Sequence, residues 1–211
     1  MPWITGTGRL RRPGRGEAVE ETAARPVFYY DLGSPYAYLA AERVNRVLPV
    51  VPVWQPILLG GIWKHTGGSS WALTDARASG MAQVEARAER YGLQPVRWPQ
   101  GWPHSSLTAM RAAIFAQRAG RVVAFSLAAF RQAFAGARDL SDTDNVLIAA
   151  AACELHPNAV LKGIESRGVK DELQKATAEA VERGVTGVPT VAVGDRLFWG
   201  EDSLEEAAAA L

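Results

Sequence analysis

The residues best suited to chemistry lie around Ser34, in the segment DLGSPYAYLA that begins at Asp31. Serine is a preferred N-cap residue and proline is favoured in a first helical turn, so Ser34-Pro35 predicts the start of a helix. The Ser34 hydroxyl is therefore expected at the positive end of a helix dipole, where main-chain N–H groups favour an anion. A hydroxyl placed there can hydrogen-bond and stabilise a negatively charged group.

The chain has no thiol of its own at this helix start, because its one cysteine is Cys153. Redox enzymes with a Cys-x-x-Cys motif place the first cysteine at such a position and lower its pKa there. Here the motif is Ser-Pro-Tyr-Ala, which excludes a dithiol oxidoreductase. A site suited to a thiolate but lacking a thiol predicts that a ligand brings the thiolate. Cys153 itself is predicted to be a small buried hydrophobic residue.

A strand–helix–strand unit is predicted around this motif. The apolar run at 27–30 indicates a buried strand, and apolar residues at helical spacing indicate a helix over 35–48. A second strand is predicted at 50–54. Pro52 favours an edge position for that strand, because proline cannot donate a hydrogen bond to a central ladder.

The C-terminal segment predicts a β-hairpin followed by a helix. The residues 188–193 and 196–199 have strand patterns, and the two-residue turn Gly194-Asp195 joins them. Asp202-Ser203 is then predicted to cap a closing helix over 204–211.

The long region between these two units has helical patterns and no convincing strand. Apolar residues recur at helical spacing over 81–91, 107–114, 123–134, 146–151 and 173–181. The order of elements predicts an α/β protein with a thioredoxin-like fold that carries a large all-helical insertion domain. The thioredoxin-like domain is predicted at 26–75 and 185–211, and the insertion at 76–184.

The composition is typical of a globular protein without a preference for nucleic acid or membranes. The 211 residues are 48% hydrophobic and 21% charged, with a formal net charge of +1. No apolar run approaches the roughly 18 residues that a membrane-spanning helix needs. One cysteine is typical of a reducing compartment, so a cytoplasmic location is expected. Residues 1–25, rich in glycine and arginine, are expected to form a disordered tail.

Several motifs, in this order, are similar to those of one group of enzymes. They are the helix start at Ser34, the segment Gly187-Val188-Pro189-Thr190 and the segment Trp199-Gly200-Glu201-Asp202. The segments 61–64 and 106–111 are similar to ones that flank the substrate. On these motifs the chain resembles the 2-hydroxychromene-2-carboxylate isomerases and the kappa-class glutathione transferases, within the DsbA-like thioredoxin superfamily.

The resemblance implies that glutathione is the cofactor or co-substrate, and that the protein is a homodimer. It implies that Ser34 donates its hydroxyl to the glutathione sulfur and holds it as a thiolate. A cis bond at Val188-Pro189 is implied to expose main chain for pairing with the tripeptide. Trp199-Gly200-Glu201-Asp202 is implied to receive the glutamyl end, with Asp202 on its ammonium group. The alternatives are a plain cap for Ser34, a strand-start proline for Pro189 and a helix cap for Asp202.

Lys64, Arg77 and His104 are further candidates, near positions at which the chain departs from the family. Lys64 is predicted to bind the cofactor, but Gly67-Gly68 replaces the Gly-Asn of some relatives, so an amide partner is missing. Arg77 either holds the glycyl carboxylate bidentately or is a solvated helix arginine. His104 stands where many isomerases have asparagine, and is either an acid–base catalyst or a surface histidine. Ser203 replaces an arginine of many relatives.

The remaining histidines and the tryptophans carry weaker signals. No metal site is predicted, because His65 and His156 lack partners at ligand spacing. Four tryptophans are expected at the entrance of the insertion, where they either line an aromatic-accepting pocket or cap the core between the domains. They are Trp63, Trp71, Trp98 and Trp102.

The leading hypothesis for function is a glutathione-dependent isomerase of the 2-hydroxychromene-2-carboxylate type, acting on a small aromatic substrate in aromatic degradation. One alternative is a kappa-class-like glutathione transferase. The other is a thioredoxin-like binding protein without catalysis, which the missing amide partner and Ser203 favour. No nucleic-acid or membrane partner is expected.

Overall fold

A computed structural model describes residues 25–211 of the chain. Residues 1–24 lie outside this range, and with them all but one residue of the tail predicted at 1–25. The described chain has a four-stranded mixed sheet, with a long series of helices between its second and third strands. This arrangement confirms the predicted α/β class and the helical region inserted between strands.

Four short strands form the sheet: β1 Val27–Tyr30, β2 Val53–Pro56, β3 Thr190–Val193 and β4 Arg196–Trp199. Their order across the sheet is β2-β1-β3-β4. β1 pairs in parallel with β2 and antiparallel with β3, and β3 and β4 form the predicted hairpin. The strand that leads into Ser34 is therefore a central one.

The helices of the described chain follow in sequence order. They are α1 Pro35–Val47, α2 Leu59–Thr66, α3 Arg77–Arg90, α4 Leu107–Arg118, α5 Val122–Phe134, α6 Thr143–Ala151, α7 Pro157–Glu165, α8 Arg167–Glu182 and α9 Leu204–Ala209. Helix α4 packs against α5, α6, α7 and α8, whereas α8 also packs against α2 and β2. The domain boundaries near 76 and 184 stay a prediction.

Both strands that adjoin a proline begin later than the sequence predicts. β2 begins at Val53 rather than at 50, directly after Pro52, which has no N–H to donate. The carbonyl oxygen of exposed Val51 accepts from the Arg25 guanidinium at 2.8 Å. β3 begins at Thr190, directly after Pro189, which has no N–H to donate. In the described sheet β2 has one neighbour, β1, which confirms its predicted edge position.

The closing helix differs from the prediction at both ends. α9 spans Leu204–Ala209 rather than 204–211, and the described chain provides no side-chain cap for it. The 3₁₀ turn Glu201–Ser203 leads directly into α9, and the Ser203 hydroxyl donates to the carbonyl oxygen of Trp199 at 2.7 Å. The predicted cap at Asp202-Ser203 is therefore wrong, because the turn already supplies helical geometry before Leu204.

Helix α7 has no counterpart in the sequence analysis, and its start has an unusual cap. The Nδ1 atom of His156 accepts the main-chain N–H of Asn158 at 3.2 Å, and Pro157 occupies the first turn. Histidine is not a usual N-cap residue, so the local pattern does not predict a helix start. Helix α6 begins with a more usual cap, because the Asp142 carboxylate accepts the N–H of Asp144 at 2.9 Å.

Alternate residues of β1 face two different cores. Phe28 and Tyr30 are fully buried on one face, where the Tyr30 ring lies 5.9 Å from the Phe130 ring of α5. Tyr29 faces the other side, where Ile62 of α2 and apolar residues of α8 pack. The alternation follows from the two-residue period of a strand, and it holds β1 rigidly between helices on both sides.

Candidate active site

The strand ends bring four loop segments to one edge of the sheet. Tyr30 pairs with Pro56 of the parallel strand β2, and Tyr29 pairs with Thr190 of the antiparallel strand β3. Thr190 in turn pairs with Trp199, the last residue of β4. The segments after β1, β2 and β4 and the segment before β3 therefore meet at this edge. They are 31–34, 57–59, 200–203 and 187–189.

Ser34 is the N-cap of α1, as predicted. Its hydroxyl oxygen accepts the N–H of Ala37 at 3.2 Å, and its own N–H donates to the carbonyl oxygen of Asp31 at 3.0 Å. The residue is 6% exposed. Because the hydroxyl acts as acceptor in the cap, its O–H is still able to donate to a ligand. Capping and anion binding are thus compatible roles for one hydroxyl.

Asp31 lies behind Ser34 and connects three segments. Its two carboxylate oxygens accept the N–H groups of Gly33 and Leu59, both at 2.8 Å. Burial raises the pKa of the Asp31 carboxyl, and hydrogen bonds from Ser106, Gly33 and Leu59 act against that rise. The sequence analysis did not single out this residue, although an acidic residue directly after a buried strand was an available signal.

The main chain of Val188, two residues before β3, is unpaired within the described residues. The Val188-Pro189 bond is cis, as the resemblance implies. Pro189 accepts the N–H of Gly200 at 2.9 Å, whereas no hydrogen bond within residues 25–211 uses the N–H or C=O of Val188. Gly187 leaves room for the Trp199 indole, because a Cβ at Gly187 would lie 2.7 Å from the indole nitrogen. Val188 can therefore pair with an extended ligand.

The segment after β4 has one exposed and one buried carboxylate. Asp202 has a 63% exposed side chain, and its carboxylate lies 3.6 Å from an Arg87 nitrogen. Glu201 is only 2% exposed, and its carboxylate pairs with Arg87. Gly200 connects the strand to this turn with a positive φ of 104°, a conformation that favours glycine. A ligand can thus reach Asp202, whereas the buried Glu201 carboxylate is held by Arg87 within the protein.

Two arginines hold this segment against the helices. Arg43 of α1 is buried, and it donates to the carbonyl oxygen of Glu201 at 2.8 Å and pairs with Glu205. Its guanidinium also lies 3.7 Å from the centre of the Tyr91 ring, a cation–π contact. Together with Arg87, it fixes the turn that carries Asp202. The roles predicted for the segment toward glutathione stay predictions.

Arg77 and His104 both bind the protein's own loop between α3 and α4. Arg77 donates to the carbonyl oxygen of Trp102. His104 Nε2 lies 2.8 Å from the carbonyl oxygen of Gln100, so it donates there, and Nδ1 lies 3.5 Å from the Asp139 carboxylate. His104 shares a small cavity with Gly33, next to Ser34. The acid–base role of His104 stays a prediction.

Three of the four tryptophans cluster and one does not. The Trp102 ring lies 5.4 Å from Trp71 and 4.7 Å from Trp98, and Trp98 contacts Phe134. Trp102 is buried within this group, which favours the interpretation as a cap on the core. Trp63 instead lies against Gly68 in the α2 region. Cys153 is buried as predicted, and burial raises its pKa.

The whole described domain matches a known family. The family model of the DSBA-like thioredoxin domain matches residues 27–211. The chain belongs to this family. Membership in the DSBA-like thioredoxin domain family confirms the thioredoxin-like fold, and this member carries Ser34 in place of a redox cysteine.

The chain is similar to proteins of two kinds. It is 29% identical over 188 residues to a curated 2-hydroxychromene-2-carboxylate isomerase of Sphingobium xenophagum, covering 84% of this chain and 93% of that protein. A solved 2-hydroxychromene-2-carboxylate isomerase matches with a TM-score of 0.80 and 21% identity, over 88% of this chain and 93% of the other. A probable DsbA oxidoreductase from Streptomyces coelicolor matches with a TM-score of 0.72 and 20% identity, over 88% of each chain. The predicted similarity to DSBA-like proteins and to 2-hydroxychromene-2-carboxylate isomerases is confirmed, whereas the similarity to kappa-class glutathione transferases stays a prediction.

Two absences hold for the described part of the chain. No helix there is long and apolar enough to cross a membrane. Residues 25–211 also contain no group of three His, Cys, Asp or Glu side chains placed to hold a metal ion.

Proposed function

We propose that this protein is a glutathione-dependent isomerase that interconverts a 2-hydroxychromene-2-carboxylate and its open-chain benzylidenepyruvate. One observation carries the proposal: the Ser34 hydroxyl lies at a helix N-terminus and can still donate, at the sheet edge where Val188 has an unpaired main chain. The similarity to the curated isomerase over most of both chains supports the substrate class. A cytoplasmic location and a homodimer belong to the same proposal.

The residues at the sheet edge fit a bound glutathione. Val188 offers one N–H and one C=O for the tripeptide main chain, and Asp202 offers an exposed carboxylate for the glutamyl ammonium group. The Ser34 hydroxyl and the N-terminus of α1 suit a thiolate between these two contacts. Arg77, which uses one nitrogen on Trp102, has further donors for the glycyl carboxylate.

In this proposal Ser34 stabilises the negative charge on the glutathione sulfur. Donation from its O–H stabilises the charged sulfur, and the positive end of the α1 dipole adds to the effect, so the pKa of the glutathione thiol falls. When bound, glutathione supplies a thiolate that adds reversibly to a conjugated carbonyl compound, which lets the former double bond rotate before the thiolate leaves. Asp31 keeps the Ser34 loop in place through Gly33, and it takes no proton from the substrate.

The direct experiment follows the absorbance of the two isomers, which differ, when protein is added with and without glutathione. We expect conversion that requires glutathione. Conversion without thiol would instead support acid–base chemistry at His104. No conversion, together with conjugation of an electrophilic aryl halide, would refute the isomerase in favour of a transferase. If neither reaction occurs although glutathione raises the melting temperature, the chain is a binding protein.

Binding is tested separately from turnover. Glutathione at a hundred times its dissociation constant should add about 2.7 kcal/mol to the free energy of unfolding. The measurement is a thermal shift with glutathione beside other small thiols, followed by calorimetry. Absence of both signals at millimolar thiol would refute the glutathione assignment.

A further inference from the structure

A cavity of about 450 Å³ lies between α2, α4 and α8. Its volume falls in the range of roughly 300–1,000 Å³ that is typical of small-molecule sites. Leu58, Leu107 and Leu173 supply apolar walls, and Lys64 of α2 and Arg111 of α4 bring two positive charges. The lining is therefore apolar with a positive end, which suits an amphipathic anion.

Both of these cations lack a protein partner in the described chain. Lys64 and half-buried Arg111 make no hydrogen bond or ion pair within residues 25–211. Lys170, which lines the same cavity, is paired with Glu165 at 2.7 Å. The positive charge of Arg111 helps to lower the pKa of the Glu165 carboxyl, but that carboxylate is already paired with Lys170. In the described chain, exposed Lys64 and half-buried Arg111 therefore have no direct carboxylate contact, and both side chains can turn to a ligand.

The cavity adjoins the loop that carries Ser34. Leu58 directly precedes Leu59, whose N–H is held by the Asp31 carboxylate at 2.8 Å. Leu107 directly follows Ser106, whose side chain acts to lower the pKa of the same carboxyl. Two of the apolar walls are therefore covalent neighbours of residues that Asp31 fixes, and a ligand in the cavity can extend toward the sheet edge.

We propose that this cavity binds the carboxylate of a planar aromatic acid, with Arg111 as the bidentate partner and Lys64 as the second cation. The guanidinium fork matches a carboxylate in plane, and the leucines pack against the ring. This assignment rests on the proposed function, because it makes the cavity the substrate side of the Ser34 site. It also assigns Lys64 to the substrate instead of to glutathione.

The test measures binding of trans-2-hydroxycinnamate by calorimetry, without glutathione. This probe has the ring, double bond and carboxylate of the open-chain isomer. Loss of a charged hydrogen bond should make binding by Arg111→Gln about 10- to 100-fold weaker, and Lys64→Gln should weaken it less. Arg167→Gln and Lys175→Gln on the exposed face of α8 are matched controls and should bind as the wild type does.

A second variant keeps Lys64 and Arg111 and reduces the volume of the cavity. Ala178 lines the cavity from α8 and is exposed, so Ala178→Trp should narrow the cavity without disturbing the core, and binding should fall. The methyl ester of the probe should bind weakly to every variant. Failure of the wild type to bind the acid, or equal binding by Arg111→Gln, Lys64→Gln and Ala178→Trp, would overturn the proposal.

The two proposals fail in different ways. Isomerisation that continues in Arg111→Gln with unchanged KM would overturn the cavity assignment and leave the proposed function intact. Acid binding that depends on Arg111 in a protein that does not isomerise would support the cavity assignment and refute the proposed function.

Discussion

The Asp31 carboxylate accepts the main-chain N–H of Leu59 at 2.8 Å, so the loop before Ser34 and the first turn of α2 share one buried anchor. Asp31 is 3% exposed, and its other oxygen accepts the N–H of Gly33 at 2.8 Å. An uncompensated carboxylate in such a place costs free energy, and the two main-chain donors reduce that cost. The position of the Ser34 loop thus depends on a residue that does not face the ligand.

The first prediction concerns Asp31 and pH. Burial raises its pKa in the folded protein, so the folded state binds a proton more tightly than the unfolded state does. Between the raised pKa and the ordinary value near 3.8, the contribution of Asp31 to stability therefore increases as pH falls. Relative to Asp31→Asn, the wild type should become more stable on acidification in that window.

Urea unfolding of both proteins at a series of pH values measures this difference. At neutral pH Asp31→Asn should still be the less stable protein, because an amide presents only one acceptor to the donors of Gly33, Leu59 and Ser106. Curves that stay parallel across the window would show that the pKa of Asp31 is not raised.

The second prediction separates catalysis from capping at Ser34. Ser34→Ala should cost about 0.5–2 kcal/mol of stability as a lost cap. It should lower turnover roughly 10²- to 10³-fold as a lost donor to developing charge. Ser166→Ala is a matched control, since the Ser166 hydroxyl caps α8 by accepting the N–H of Val169 at 3.3 Å. It should lose comparable stability and keep full turnover.

The measurements are the unfolding midpoint of each variant and its initial rate of isomerisation at a temperature where both variants are folded. If Ser34→Ala melts early but turns over like Ser166→Ala, the hydroxyl is a cap only.

The third prediction concerns the contact between Gly68, where some relatives have asparagine, and Trp63. A Cβ at Gly68 would lie 2.5 Å from Cδ1 of Trp63, so any side chain there displaces the indole. Gly68→Ala should therefore cost about 1–3 kcal/mol. In a Trp63→Ala background the same change should cost little, which a double-mutant cycle measures as coupling.

Gly60 is the control for this cycle. It lies in α2, and a methyl group added there would meet no other atom within 4 Å, so Gly60→Ala should stabilise the helix by about 0.5–1 kcal/mol. Equal costs of Gly68→Ala with and without Trp63 would show that the two residues do not compete for space.

Residue types and local patterns predicted the elements near Ser34 well. The hydroxyl cap, the edge strand that begins after Pro52 and the hairpin depend on neighbouring residues, and all are present. The Asp31 anchor and the cavity with Arg111 depend on contacts between distant segments, such as 31 with 59 and α2 with α8. Those contacts depend on how distant segments pack together, and local sequence patterns do not predict such packing.

The last prediction distinguishes two adjacent carboxylates. Glu201 is buried and pairs with Arg87, so Glu201→Gln leaves that cation partly uncompensated and should cost roughly 3 kcal/mol. Asp202 is exposed, so Asp202→Asn should hardly change stability, yet it removes the carboxylate proposed for the glutamyl ammonium group. Its affinity for glutathione should fall about 10-fold. Chemical unfolding and calorimetry with glutathione measure the two effects. If Asp202→Asn binds glutathione like the wild type, the glutamyl end lies elsewhere, and an unchanged stability of Glu201→Gln would show that Arg87 is compensated by another group.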